Sequence, residues 1–179
     1  MLVDAGVDVL GLDDAGVTFD VEETGTTFVE NARLKAVQYA RATGLLTLAD
    51  DSGLEIDALN GEPGVYTARY GGSDLTQPER MELVLSKLEG VENRTARFRC
   101  VMVLADGEGE VLSVKEGICE GAIDYTMRGT GGFGYDPIFL LPDRNLTMAQ
   151  IDKAAKNTIS HRGQAVRAIL SDILRVTSS

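Results

Sequence analysis

Two strand-like runs, "ARFRCVMVLA" and "EVLSVKEGICEGAI", stand either side of "DGEG" near the middle of the chain. Two long β-prone segments joined by Asp-Gly and a second glycine read as a hairpin, and its length makes it the frame for whatever surrounds it. Upstream, "TFVE" at residues 27–30 is a capping box, and Phe28, Ala32, Ala36 and Ala40 follow at helical spacing up to Gly44, which suits a C-cap. "LLTLA" is then a short apolar run of buried-strand length that delivers Asp50 and Asp51 to its carboxyl end, with Ser52-Gly53 as the turn. "QPERMELVLSKLEG" reads as a helix with Pro78 in its first turn, and "SHRGQAVRAILSDILRV" as a last helix with Ser160 as N-cap. The opening looks like the last turn of a helix stopping at Gly6, followed by an alternating strand over residues 7–10. Helices and strands alternating around a long hairpin define an α/β chain with a mixed central sheet flanked by helices.

Composition narrows the function. With 179 residues and 44% apolar content, one domain over 1–179 is expected. The first residues carry acidic side chains and no basic region ahead of an apolar stretch, and no window approaches a membrane span, so a cytoplasmic protein without a membrane partner is expected. Cys100 and Cys119 have no CxxC spacing and read as free core thiols. A net charge of −11 argues against broad binding of nucleic acid. A polyanionic substrate would need a metal ion or a local cation cluster to offset that field.

The candidate chemistry lies in three places. "ADDSG" either ends a strand with turn-forming residues or presents Asp50 and Asp51 to a hard divalent cation such as Mg²⁺, with Glu22 and Glu23 of "EET" as further carboxylates. His161 and Arg162 fall in the first turn of the last helix, where the dipole disfavours cations unless a ligand or an acidic side chain sits opposite. Lys156 is a third donor just upstream. In "GTGGFGYD", Phe133 and Tyr135 offer faces for a base and Asp136 an acceptor for a ring N–H; a packed turn is the alternative. With His161 the single imidazole, a zinc site lacks ligands, and a Ser-His-Asp hydrolase would have no nucleophile elbow; a P-loop is also absent.

"EETGTTFVENARLKA", "ADDSGLEIDALNGEPGVYTARY", "GTGGFGYDPIF" and "KNTISHRGQA" together resemble, in order and type, the motifs of the inosine triphosphate pyrophosphatase family. The resemblance implies an elongated α/β fold of two lobes with a nucleotide cleft. It also implies Mg²⁺-dependent hydrolysis of non-canonical purine nucleoside triphosphates (inosine, deoxyinosine and xanthosine) to monophosphate and pyrophosphate by a homodimer. Matched by motif, Asp51 is the general base, Glu23, Asp50 and Asp51 lie at the metal, and Lys35 reaches the phosphates. Ser52 touches the substrate; Phe133, Gly134, Tyr135 and Asp136 hold the base; Lys156, His161 and Arg162 recognise its keto oxygen.

Members of the family begin with a strand and a T/S-x-N-x-x-K turn that this sequence lacks. An N-terminally incomplete domain is therefore expected, of low stability and weak activity. The alternative function is a nucleotide-binding remnant that reads the base without turning it over.

Overall fold

A computed structural model describes residues 2–178. It is an α/β structure whose five strands form one sheet in the order β1-β2-β3-β4-β5. The strands are β1 (Thr47–Ile56), β2 (Thr95–Ala105), β3 (Val111–Ile123), β4 (Phe139–Leu141) and β5 (Leu146–Thr147); the helices are α1 (Phe28–Thr43), α2 (Gln77–Lys87), α3 (Lys153–Ile159) and α4 (His161–Thr177).

Among the described residues the sheet is antiparallel where a mixed one was expected. Leu140 pairs with both Ala122 and Thr147 in antiparallel ladders. Along β1 and β2 the side-chain partners run in opposite senses, Cys100 meeting Asp50, Arg99 meeting Glu55 and Arg97 meeting Asp57. The 57–94 connection therefore returns to the end of the sheet it left, as an antiparallel neighbour requires.

Local chemistry explains the elements. Thr27 accepts from the Glu30 amide while Glu30 accepts from the Thr27 amide, closing the capping box of α1, and Gly44 ends it at φ 68°, a conformation that suits glycine. In the β2–β3 turn one Asp106 carboxylate oxygen accepts from the Glu108 and Glu110 amides at 3.0 and 2.9 Å, which organises the "DGEG" reversal. Residues 7–10 do not form the expected strand. The sheet of the described residues gives them no neighbouring strand, and an isolated extended run has no ladder to stabilise it.

The chain divides into two compact units. The first holds residues up to 51, 100–117 and from 162 onward. Here Cys100, Met102 and Leu104, alternate residues of β2, meet Ala165, Ile169 and Ile173, an i, i+4, i+8 stripe of α4. The small residues Ala32, Ala36 and Ala40 of α1 are fully buried as a second such stripe. The second unit, 52–99 and 118–161, packs α2 through Met81 and Val84 into one core with Leu54, Phe98 and Phe139. Complete burial of side chains such as Leu54 or Ile169 contributes roughly 1.5–3 kcal/mol each before ordering costs.

Candidate active site

The strand β1 runs unbroken through "TLADDSGLEI", so Asp50, Asp51, Ser52 and Gly53 lie inside it rather than in a turn at its end. The pairing of β1 with β2 overrides the turn preference of Ser-Gly. Consecutive side chains of a strand face opposite ways, and this decides what each carboxylate can do.

Asp51 faces α1. Its Oδ2 accepts from Asn31 Nδ2 at 3.2 Å, and its Oδ1 lies 3.4 Å from Lys35 Nζ. The same ammonium donates to Glu23 Oε1 at 2.6 Å. Asn31 and Lys35 are one helical turn apart on α1, which brings both to the same carboxylate. Burial raises the Asp51 pKa above its ordinary value; Lys35 and the Asn31 hydrogen bond oppose that, and the charge of Glu23 adds to it. Burial pulls the Lys35 ammonium down, but the Glu23 hydrogen bond and the charges of Asp51, Glu23 and Asp50 outweigh it and the net shift is upward. The centre therefore combines a fixed cation with a carboxylate predisposed to take up a proton.

Asp50 faces the other way. Its Oδ2 accepts from Arg162 Nη2 at 2.9 Å and Nε at 3.2 Å, and the Cys100 thiol lies 3.7 Å from it. This is the acidic partner that a cation in the first turn of α4 requires. The expected metal group of Glu23, Asp50 and Asp51 does not assemble. Adjacent strand positions diverge, and among the described residues no set of three or more His, Cys, Asp or Glu side chains could hold a metal ion. Mg²⁺, however, is commonly held by one or two carboxylates together with substrate phosphates and water. Glu23 and Asp51, the two carboxylates that converge on Lys35 Nζ, are hard oxygen donors of that kind.

In the second unit, Asp136 is 2% exposed and accepts from the Phe133 amide at 2.7 Å and from Lys156 Nζ. Lys156 Nζ also stands 4.3 Å from the centroid of the Phe133 ring, which is itself 60% exposed. A β-carbon at Gly132, where φ is +75°, would overlap Asp136 Oδ2, so glycine suits this position of the loop. Gly134 has φ 60°. Tyr135 does not offer the stacking face expected of it: it is 1% exposed, and its hydroxyl donates to the Thr67 carbonyl at 3.0 Å. The apolar core claims its ring, and burial pushes its hydroxyl up to about 12. His161 is buried and stacked on Phe98 at 4.9 Å. Ser52 is partly buried on β1 and points to the face opposite Asp51.

Asn31 and Thr67 were not singled out from the sequence. An Asn one turn before Lys35 on the apolar side of a helix was the available sign for Asn31, because a buried amide needs designated partners. For Thr67, whose hydroxyl accepts from the Leu54 amide at 2.9 Å, the sequence carries no signal.

Fold and centre together define an α/β protein that holds a buried carboxylate beside a fixed ammonium. A profile of the Ham1 family matches residues 1–172, and the chain belongs to that family. A "dITP/XTP pyrophosphatase" of Exiguobacterium sp. is 47% identical over 174 residues, covering 97% of this chain and 88% of that protein. One of Gloeobacter violaceus with the same name is 53% identical over 159 residues, covering 89% and 80%. Among solved structures, the Ham1 protein of Staphylococcus aureus superposes with a TM-score of 0.89 at 42% identity, over 96% of this chain and 89% of that one. A "Nucleoside-triphosphatase / dITP/XTP pyrophosphatase" of Mycobacterium abscessus gives 0.78 at 39%, over 94% and 88%.

Proposed function

We propose that the chain is a nucleoside triphosphate pyrophosphatase that hydrolyses non-canonical purine nucleoside triphosphates (dITP, ITP and XTP) to the monophosphate and pyrophosphate. The observation that carries this reading is Asp51, a buried carboxylate with a raised pKa held by Asn31 and Lys35, in a chain whose relatives are named for the reaction. Asp51 accepts a proton from water as that water's oxygen bonds to the α-phosphorus. The bond from the α-phosphorus to the bridging oxygen breaks, and pyrophosphate leaves. Lys35 offsets phosphate charge in a protein that is otherwise strongly acidic.

Glu23 and Asp51 would hold Mg²⁺, which when bound lowers the charge on the phosphates and acidifies the attacking water. Asp50 keeps Arg162 in place rather than ligating metal. Phe133, Gly134, Asp136 and Lys156 receive the base, with Ser52, His161 and Arg162 as further substrate contacts. Donors aimed at a keto oxygen are left unpaired by the amino group of adenine, which disfavours ATP. We place this activity in the cytoplasm, in a homodimer, with residues 1–179 acting as one catalytic domain.

The position of attack is tested by turnover of dITP in isotopically labelled water. Label in the monophosphate and none in pyrophosphate supports attack at the α-phosphorus. Release of inorganic phosphate with a diphosphate product would refute it.

A further inference from the structure

We infer that Asn31 is a positioning residue of the reaction, orienting the Asp51 carboxylate and tying it to the loop that carries Glu23; this rests on the role proposed for Asp51. Asn31 is fully buried, and both ends of its amide are committed. Its Oδ1 accepts from the Gly25 amide at 2.8 Å, which leaves Nδ2 to donate to Asp51 Oδ2 at 3.2 Å. Because a backbone amide is always a donor and an ionised carboxylate always an acceptor, the side chain has one orientation compatible with its surroundings.

The Gly25 end is equally constrained. A β-carbon there would lie 2.6 Å from Asn31 Oδ1 and 2.6 Å from Glu30 Cβ, so the loop backbone approaches α1 as closely as it does only because residue 25 has no side chain. Two residues before Gly25, Glu23 meets Lys35 Nζ, which also reaches Asp51. Asn31 thus closes a circuit from β1 through α1 to the 23–25 loop and back through Lys35. With Asn31 in place, the general base and its acidic neighbour keep one mutual arrangement. Without it, Asp51 loses the donor that fixes its rotation, and the loop loses its attachment to α1. Outer hydrogen-bonding partners of this kind typically alter activity by about 10- to 100-fold.

The two ends separate by substitution. Asn31→Leu removes both hydrogen bonds at similar volume. Asn31→Asp keeps an acceptor for the Gly25 amide and removes the donor to Asp51. Steady-state pyrophosphate release from dITP with Mg²⁺ is measured for wild type and both variants at about pH 9, well above the ordinary carboxylate range. Thermal unfolding of the same samples gives the folded fraction at the assay temperature.

The expected result is a kcat per folded molecule lowered by about 10- to 100-fold in both variants, with KM within about threefold of wild type, since a positioning role acts on the chemical step rather than on substrate binding. Asn31→Asp retaining wild-type kcat would overturn the inference and leave Asn31 as a loop anchor. Losses confined to KM, or a wild-type kcat per folded molecule in both variants, would overturn it too. In all these cases an active wild type leaves the proposed reaction standing. A folded wild type that releases no pyrophosphate would overturn the proposed reaction and this role together.

Discussion

Asp50 and Asp51 are consecutive in sequence yet serve opposite faces of β1: Arg162 of α4 binds one at 2.9 Å, and Asn31 of α1 binds the other at 3.2 Å. The alternation of a strand separates two neighbouring charges without any intervening residue. It also assigns them different work. Asp50 satisfies a cation placed unfavourably at a helix N-terminus, and Asp51 is left with a raised pKa beside Lys35.

Asp51 should cost stability where it is ionised. Its folded pKa lies above the ordinary value, burial being the main cause. Such a group stabilises the fold below its unfolded pKa, and that contribution is lost as pH rises through the folded pKa. At neutral pH, Asp51→Asn should therefore raise the melting temperature, and the gain should shrink as pH falls through the raised folded pKa of Asp51 toward its unfolded one, where the aspartate takes up its proton. Calorimetric scans of both proteins from about pH 4 to 8 check this. A variant that melts lower than wild type at neutral pH would contradict it.

Lys35 should matter to both folding and turnover. It is the cation shared by Glu23 and Asp51, so Lys35→Met leaves two facing carboxylates without it. Loss of hydrogen bonds to charged groups predicts about 1.5–3 kcal/mol of destabilisation in urea unfolding. Turnover should fall with it, and lowering the pH should restore part of the stability by protonating one carboxylate.

The separation of the two aspartates predicts different metal responses. Asp50→Asn should leave the Mg²⁺ concentration for half-maximal rate unchanged while weakening the hold on Arg162. Glu23→Gln should raise that concentration, because it removes one of two hard donors. Mg²⁺ titrations of the initial rate distinguish them. Equal responses would contradict the assignment of faces.

Gly132→Ala should dislodge Asp136. The added carbon would overlap Asp136 Oδ2 in a backbone conformation that costs an L-residue roughly 1–2 kcal/mol before the clash is counted. The midpoint of urea unfolding should drop, and KM for dITP should rise if Asp136 and Lys156 receive the base. An unchanged KM in a folded variant would argue against that role.

The two cysteines should be inert in the native state. Burial, with the charge of Asp50 adding to it, pushes the Cys100 thiol up to about 12; burial likewise pushes Cys119 up to about 11. Both are buried. Thiol titration at about pH 8 should detect no reactive group in the native protein and two after denaturation, since only the thiolate reacts.

What could be read from the sequence was the part set by near neighbours. The capping box at Thr27 and Glu30, the stop at Gly44 and the Asp106 turn all depend on residues within four positions of one another, and each formed as expected. Asp51 and Lys35 were singled out through the family resemblance, and the fold brings them within 3.4 Å of each other. The features that escaped depend on distant pairing. "DDSG" has turn chemistry, and the β1–β2 pairing draws it into a strand. Residues 7–10 alternate like a strand but have no ladder. Tyr135 was expected to face a ligand, whereas the core of its unit takes the ring, and no local pattern distinguishes those fates.

The most direct test is pyrophosphate release from dITP with Mg²⁺, comparing the purified chain with its Asp51→Asn variant and with ATP as control substrate. Release should favour dITP and fall by at least about 10²-fold in the variant, as loss of a general base requires. Release that is the same for both proteins, or that favours ATP, would contradict it.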